Sequence, residues 1–338
     1  MGLLLATHPR FLDHVASPNH PERPQRLEAV LEGARRSPVA DALIPLEPRH
    51  ATRDELERVH PAAYLDQLRH ISEVEGGGYL DPDTGTCAES WDASLLGAGA
   101  VLRAAEALAA GEAPAAFCAV RPPGHHATPD RAMGFCLVNN VAVTATALAD
   151  QGERVLIVDY DAHHGNGTQD IFYEHPTVFY MSFHQWPLYP GTGRIEERGE
   201  GAGFGCNLNI PLPPRATGEV FLEGIDRIVA PLVEVFEPTW LIMSAGFDAH
   251  RRDPITDLGL TSGDYALITK RLMELAPAGR HLVVLEGGYD LQALADSSGA
   301  AMAALMGIEH LPEKPSVGGP GRRVLDAVAE QWADLLPA

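Results

Sequence analysis

The chain has 338 residues, 45% of them apolar, with 25 basic and 46 acidic side chains and a formal net charge of −21. That length suits one large α/β domain or two ordinary ones, and the apolar fraction is enough for a sizeable core. The negative charge disfavours sequence-independent binding to nucleic acid, and no run of about 18 apolar residues is present to cross a membrane. The apolar start, residues 1–8, is too short and lacks the basic head of a signal peptide, so a cytoplasmic location is expected. Four cysteines lie far apart with no CxxC pair and read as reduced thiols. An acidic surface would favour a cationic substrate such as a lysine-rich tail or a polyamine; plain solubility is the alternative reading.

In chain order, residues 93–110 are rich in Ala and Leu and stop at Gly111, as a helix would. Residues 115–120 form a short apolar run and read as a strand buried on both faces. Helical spacing returns at 140–149, ending near Gly152. Two further buried strands are expected at 154–160 and 177–183. The Gly-rich stretch 189–205 reads as a long loop, and a loop of that length is more often functional than idle. A helix is expected over 219–236, kinked at Pro231. A strand at 239–245, a helix at 263–276, a strand at 281–286 and a helix at 291–306 follow. Residues 312–321 are rich in Pro and Gly, and a tail helix is expected at about 322–336. Strands alternating with helices predict a three-layer α/β fold, a doubly wound, mainly parallel sheet with helices on both faces, in one domain over 1–338.

Ligands bind beyond the carboxyl ends of strands in such a sheet. Those ends carry Arg121-Pro-Pro-Gly-His125-His126, then Asp159-Tyr-Asp161-Ala-His163-His164-Gly-Asn166, Ser182-Phe-His184, Gly246-Phe-Asp248-Ala-His250 and Gly287-Gly288-Tyr289. Asp161 and His163 are two residues apart and can share a face. A catalytic zinc takes three carboxylate or imidazole ligands and keeps an open position, and Asp248 is the natural third. Helix capping is the alternative reading of each aspartate. His125 and His126, on a rigid bend, read as an acid/base pair, with Asp159 and Asn166 available to set their tautomers and separate their pKa values. Tyr289, after two glycines, can offer a hydroxyl to a developing oxyanion, or can be a buried tyrosine with a satisfied hydroxyl.

At these residues the sequence resembles the zinc-dependent histone deacetylase family, including the acetylpolyamine amidohydrolases, and is most similar to class II-like bacterial members. The resemblance runs from His20-Pro-Glu-Arg-Pro to Gly307. It rests on RPPGHH at 121–126, GFC at 134–136, DYDAHHGNGTQD at 159–170, YPGTG at 189–193, SAGFDAH at 244–250 and EGGYD at 286–290. It implies the arginase/deacetylase fold, zinc on Asp161, His163 and Asp248, and His125 and His126 as the acid/base pair backed by Asp159 and Asn166. Tyr289 matches the transition-state tyrosine. Phe135, beside Gly134, and Tyr189 match walls of an acyl-lysine tunnel. Asp83, or else Asp81, is similar to a rim residue that holds the substrate backbone. Ile255 lies where class II members place a gatekeeper, and Arg26 resembles an arginine below the metal. Potassium is implied at Asp159, Asp161, His163, Ser182 and Phe183, and at a second site of Phe172, His175, Val178 and Cys206.

The expected activity is removal of acetyl groups from the lysine ε-amine in proteins or peptides by zinc-activated water. The alternatives are deacetylation of small acetylated amines such as acetylpolyamines and, from another class, a non-catalytic acetyl-lysine binding protein. Isoleucine at 255 argues against selectivity for polyamines by way of an acidic gatekeeper. A manganese ureohydrolase would need more bridging aspartates than the single full site supplies. Ferrous iron can replace zinc on these donors, and the sequence leaves a homo-oligomer open.

Overall fold

The computed structural model describes residues 2–336; Met1, Pro337 and Ala338, the ends of the expected 1–338 domain, lie outside the described residues. The strands are β1 (Leu3–Ala6), β2 (Leu43–Leu46), β3 (Gly77–Tyr79), β4 (Gly85–Cys87), β5 (Ala115–Cys118), β6 (Val155–Asp159), β7 (Val178–Gln185), β8 (Asn207–Leu212), β9 (Trp240–Ala245) and β10 (His281–Leu285). The helices are α1 (Gln25–Arg36), α2 (Arg53–Glu57), α3 (Ala62–Arg69), α4 (Ser90–Ala109), α5 (Asn140–Ala149), α6 (Asn166–Phe172), α7 (Gly218–Gly224), α8 (Ala230–Phe236), α9 (Ser262–Met273), α10 (Leu291–Leu305) and α11 (Arg322–Gln331). Among them none is long and apolar enough to cross a membrane.

Eight strands form one sheet in the order β2-β1-β5-β10-β9-β6-β7-β8, and every pairing in it is parallel. β3 and β4 make a separate antiparallel hairpin. The five strands expected from apolar runs are all present, and every residue of β5, β6, β7, β9 and β10 is buried. Helices must therefore cover both faces, which is why these runs show no polar alternation. α1 packs on α10 and α10 on α9, while α4 packs on α5. The fold is the expected doubly wound one.

Three departures from the sequence reading have physical causes. β1, β2 and β8 were not anticipated: β1 and β2 are four residues each, and β8 alternates Asn with apolar residues. The irregularity expected at Pro231 falls one turn earlier, as a π-helical turn over Ile225–Val229, because the proline nitrogen has no hydrogen to donate to that turn. The tail helix ends at Gln331 rather than about 336, and Trp332 turns into the core, stacked on Phe179 with ring centroids 6.3 Å apart.

Chain order places the site. β5 connects to β6 through α5, yet β10 and β9 lie between them. The carboxyl ends of β5, β10, β9 and β6 are thus four neighbours on one edge, at a point where the winding reverses. The segment between β5 and α5 is held by His60, which is fully buried. Its Nδ1–H donates to the Pro129 carbonyl at 2.9 Å and its Nε2 accepts the Asn139 N–H at 3.0 Å. Asn139 in turn caps α5 through the Ala142 N–H.

Burial pushes the His60 imidazole from 6.5 down to about 4. The unfolded chain therefore binds this proton first, and stability is lost as pH falls from 6.5 towards 4, by at most about 1.4 kcal/mol per pH unit. The urea midpoint should drop over that window, and His60→Gln should flatten the slope; an unaltered slope in the variant would remove His60 as its source.

Candidate metal and catalytic site

β6 and β9 are paired neighbours, so the segments that follow them emerge side by side. His163 Nδ1 lies 3.1 Å from Asp161 Oδ1 and 2.9 Å from Asp248 Oδ2. One ligand atom from each of the three residues falls within 4.8 Å of the others, and all three residues are buried. Main-chain donors hold the carboxylates: Ala162 N–H to Asp248 Oδ1 at 2.8 Å, His163 N–H to Asp161 Oδ1 at 2.9 Å and Gly287 N–H to Asp161 Oδ2 at 2.8 Å. Gly287 can come this close because it lacks a side chain; a Cβ there would sit 2.4 Å from Asp248 Oδ2. The following helices are capped elsewhere, at Gly165 and Thr261, which removes the capping alternative.

Burial opposes charge on Asp161, but His125 and His163 outweigh it and hold its carboxyl far below the usual range. Burial and the Asp161 charge push Asp248 up to about 6. Burial also opposes charge on His163, and the two carboxylates override it, raising the imidazole to about 10. A field that binds a proton so firmly binds a divalent cation in its place. Carboxylate oxygen and imidazole nitrogen are donors for zinc and equally for ferrous iron. The residues present fit such an ion.

His125 and His126 lie beside this trio with ring centroids 4.1 Å apart. His125 Nδ1 donates to Asp159 Oδ2 at 3.0 Å, and His126 Nδ1 to Asn166 Oδ1 at 2.8 Å. These are the two partners expected from the sequence. Burial works against the His125 cation, yet Asp159, Asp161 and Glu286 raise it to about 10. Burial, His125 and His163 push His126 well below its ordinary value. One imidazole is held charged and the other neutral.

Above them opens a cavity of about 230 Å³ lined by Asp83, His126, Gly134, Phe135, His163, Leu188, Tyr189, Ile255 and Tyr289. Gly134 and Phe135 both have positive φ, +56° and +70°. For Phe135 that is a strained backbone of the kind found at functional sites. Asp83 rather than Asp81 lines the mouth; the Asp81 carboxylate accepts the N–H groups of Asp83 and Thr84 in its own turn. The Tyr289 ring meets Phe135 edge-on at 6.0 Å and lies over the Arg26 guanidinium at 4.9 Å. Burial pushes the Tyr289 phenol well above 10, so it stays a hydrogen-bond donor. Arg26 is buried beneath the ring and does not line the cavity.

The two candidate potassium sets are also local. Asp159 and Ser182 are register partners on β6 and β7, next to Phe183. Phe172 ends α6 and its carbonyl accepts the His175 N–H, while the Cys206 carbonyl accepts the Tyr180 N–H beside Val178.

Several residues around the site escaped the sequence reading. Leu188 lines the cavity, but a leucine in a loop carries no signal. Tyr180 donates its hydroxyl to Asp159 Oδ2 at 3.1 Å, and Asp253 accepts the Tyr289 N–H at 2.7 Å. Glu286 was legible as part of EGGYD, although nothing in that motif says what it touches. His125, Cys136 and Glu286 also bring ligand atoms within 4.8 Å of one another. Three hydrogen-bond donors already fill the Glu286 oxygens and Asp159 takes His125 Nδ1, so this group reads as hydrogen-bonded support.

Fold and donors together define the arginase/deacetylase class of α/β protein. A model of the histone deacetylase domain matches residues 20–305, and the chain belongs to the histone deacetylase family, a family of hydrolases. It is 42% identical over 309 residues to a probable deacetylase of Archaeoglobus fulgidus, covering 89% of this chain and 86% of that one. It is 39% identical over 278 residues to a histone deacetylase-like amidohydrolase of Pseudomonas aeruginosa, covering 80% and 71%. The crystal structure of the HDA15 HD domain superposes with a TM-score of 0.92 at 35% identity, covering 100% of this chain and 97% of that one.

The trio predicts a stoichiometric divalent ion in the purified protein, measured by plasma mass spectrometry. Asp248→Ala should lose most of it while keeping its circular dichroism; full metal content in that variant would exclude Asp248 from the donor set.

Proposed function

We propose that the protein is a zinc-dependent deacetylase acting on acetylated lysine in peptides or proteins. The observation that carries this reading is the convergence of the Asp161–His163–Asp248 trio, the His125–His126 pair with one carboxylate and one amide partner, and Tyr289 at one narrow cavity. At about 230 Å³ the cavity is smaller than the roughly 300–1,000 Å³ of drug-sized sites. It suits one extended acyl-amine chain, with Phe135 and Tyr189 as apolar walls and Asp83 and Ile255 at the mouth.

A zinc ion held by Asp161, His163 and Asp248 would supply a Lewis acid for the substrate carbonyl and lower the pKa of water towards about 7. With Nδ1–H committed to Asn166, the lone pair of His126 is on Nε2 and can take the proton of the attacking water. The water oxygen adds to the acetyl carbon, and the Tyr289 hydroxyl donates to the oxyanion that forms. His125, kept cationic by Asp159, stabilises that charge. The His126 imidazolium then returns its proton to the departing amine as the C–N bond breaks, giving acetic acid and the amine, and the acid's proton passes to the amine to leave acetate and an ammonium group. Structural potassium is part of the same proposal, at Asp159, Asp161, His163, Ser182 and Phe183, and at Phe172, His175, Val178 and Cys206.

Tyr289→Phe should lower kcat by about 10² to 10³ with metal content unchanged; near-parental turnover would remove the tyrosine from the chemistry. Rates on acetyl-lysine peptides and acetylated polyamines, compared side by side, test the substrate. The peptide should be preferred because Ile255 offers the mouth no second acid; faster polyamine turnover would reverse the assignment.

A further inference from the structure

Glu286 follows β10 and is fully buried. A buried carboxylate is tolerated only with donors around it, and Glu286 has three. Oε2 accepts the N–H of Gly124 at 2.8 Å and of His125 at 3.1 Å, and Oε1 accepts the Ser244 hydroxyl at 3.0 Å. Its own N–H donates to the Ala245 carbonyl at 3.0 Å, and its carbonyl accepts from the Arg26 guanidinium. One residue therefore joins the β5 turn, β9, β10 and α1.

The place where this happens gives it meaning. The β5–β10 ladder ends at Cys118 and Val284. Past that point no main-chain hydrogen bond joins the two segments among the described residues, and the Glu286 side chain makes the connection by accepting two amides of the turn that carries the histidines. The next residues of the same segment act on the opposite side of the site. Gly287 N–H holds Asp161, the Gly288 carbonyl accepts from Arg26 Nε at 2.7 Å, and Tyr289 lines the cavity. Glu286 is thus a direct tie between the turn that carries His125 and His126 and the segment that carries Tyr289.

We propose that Glu286 is a positioning residue: it fixes the main chain of Gly124 and His125 so that both imidazoles face Tyr289 at the spacing the reaction needs. The kinetic consequence rests on the deacetylase reading; the geometric one does not. For positioning, what matters is the reach of an acceptor oxygen; the charge of Glu286 also supports the His125 cation, behind Asp159 and Asp161. Glu286→Gln keeps that oxygen at the same length, and its amide can donate to the Ser244 hydroxyl. Glu286→Asp keeps the charge but withdraws the oxygens by one methylene.

The test measures kcat, KM and metal content of both variants, with hydrogen exchange at the Gly124 and His125 amides. Glu286→Gln should keep exchange protection close to the parent and lose far less kcat than Glu286→Asp, since Asp159 and Asp161 still support the His125 cation. Glu286→Asp should lose about 10²-fold in kcat, with KM and metal content little changed and protection lost at those two amides. A Gln variant as impaired as the Asp variant would overturn the proposal, as would an Asp variant with parental kcat and protection. Should Glu286→Asp not fold, Glu286→Gln decides alone through the two amides: retained protection supports the proposal, and its loss refutes it. If the parent hydrolyses neither acetyl-lysine nor acetylated amines, the deacetylase reading fails, while the exchange comparison still decides the role of Glu286.

Discussion

Burying two carboxylates side by side is the constraint around which this molecule is arranged. Each buried anion carries a desolvation penalty of several kcal/mol unless donors compensate it. Asp161 and Asp248 meet that demand with three main-chain N–H groups from two segments, those after β6 and β10, and with the His163 imidazole. Those segments must then lie within hydrogen-bond reach of one another. The glycine at 287 and the adjacency of β6, β9 and β10 follow from the same requirement. The opposed pKa shifts of His125 and His126 come next: the histidine nearer the carboxylates is held charged, and its neighbour is held neutral by burial and repulsion.

The central sheet was legible because strands buried on both faces must be apolar throughout. The sheet's two edges were not. β2 and β8 each lack one neighbour and need not be apolar along their length: β2 tolerates Pro45, and β8 carries Asn207 and Asn209. α1 has an apolar stripe of Leu27, Val30 and Ala34 but begins after Pro24 without a capping side chain, so its start is unmarked. Strand order itself is not written in local pattern. That β10 enters between β5 and β9 is a property of packing.

At the site, the residues that form the buried trio, the imidazole pair and the cavity's tyrosine were the readable ones. Asp161, His163, Asp248, the histidine pair and Tyr289 stand at strand ends beside small residues, where packing alone does not explain them. Family resemblance added the walls Phe135 and Tyr189, which spacing could not have assigned. The supporting residues stayed hidden for a common reason. Glu286, Asp253 and Tyr180 act on main-chain amides or on a second carboxylate from a distant segment, and such partners are defined only once the chain has folded. Asp81 and Asp83 show the same limit: two aspartates in one turn look alike in sequence, and only the geometry says which one is spent on the turn.

The interleaved order of the central strands has a consequence for how the protein is made. β5 and β6 leave the ribosome early, but they become joined only after β9 and β10 have been inserted between them. Asp161 and His163 are synthesised long before the Gly287 amide that steadies Asp161. A nascent chain can carry Asp161, His163 and Asp248 and still lack the amide donor that steadies the trio. The trio is therefore complete only when the sheet is: a product truncated before β10 keeps the three side chains but lacks the strand and the Gly287 amide that hold them together.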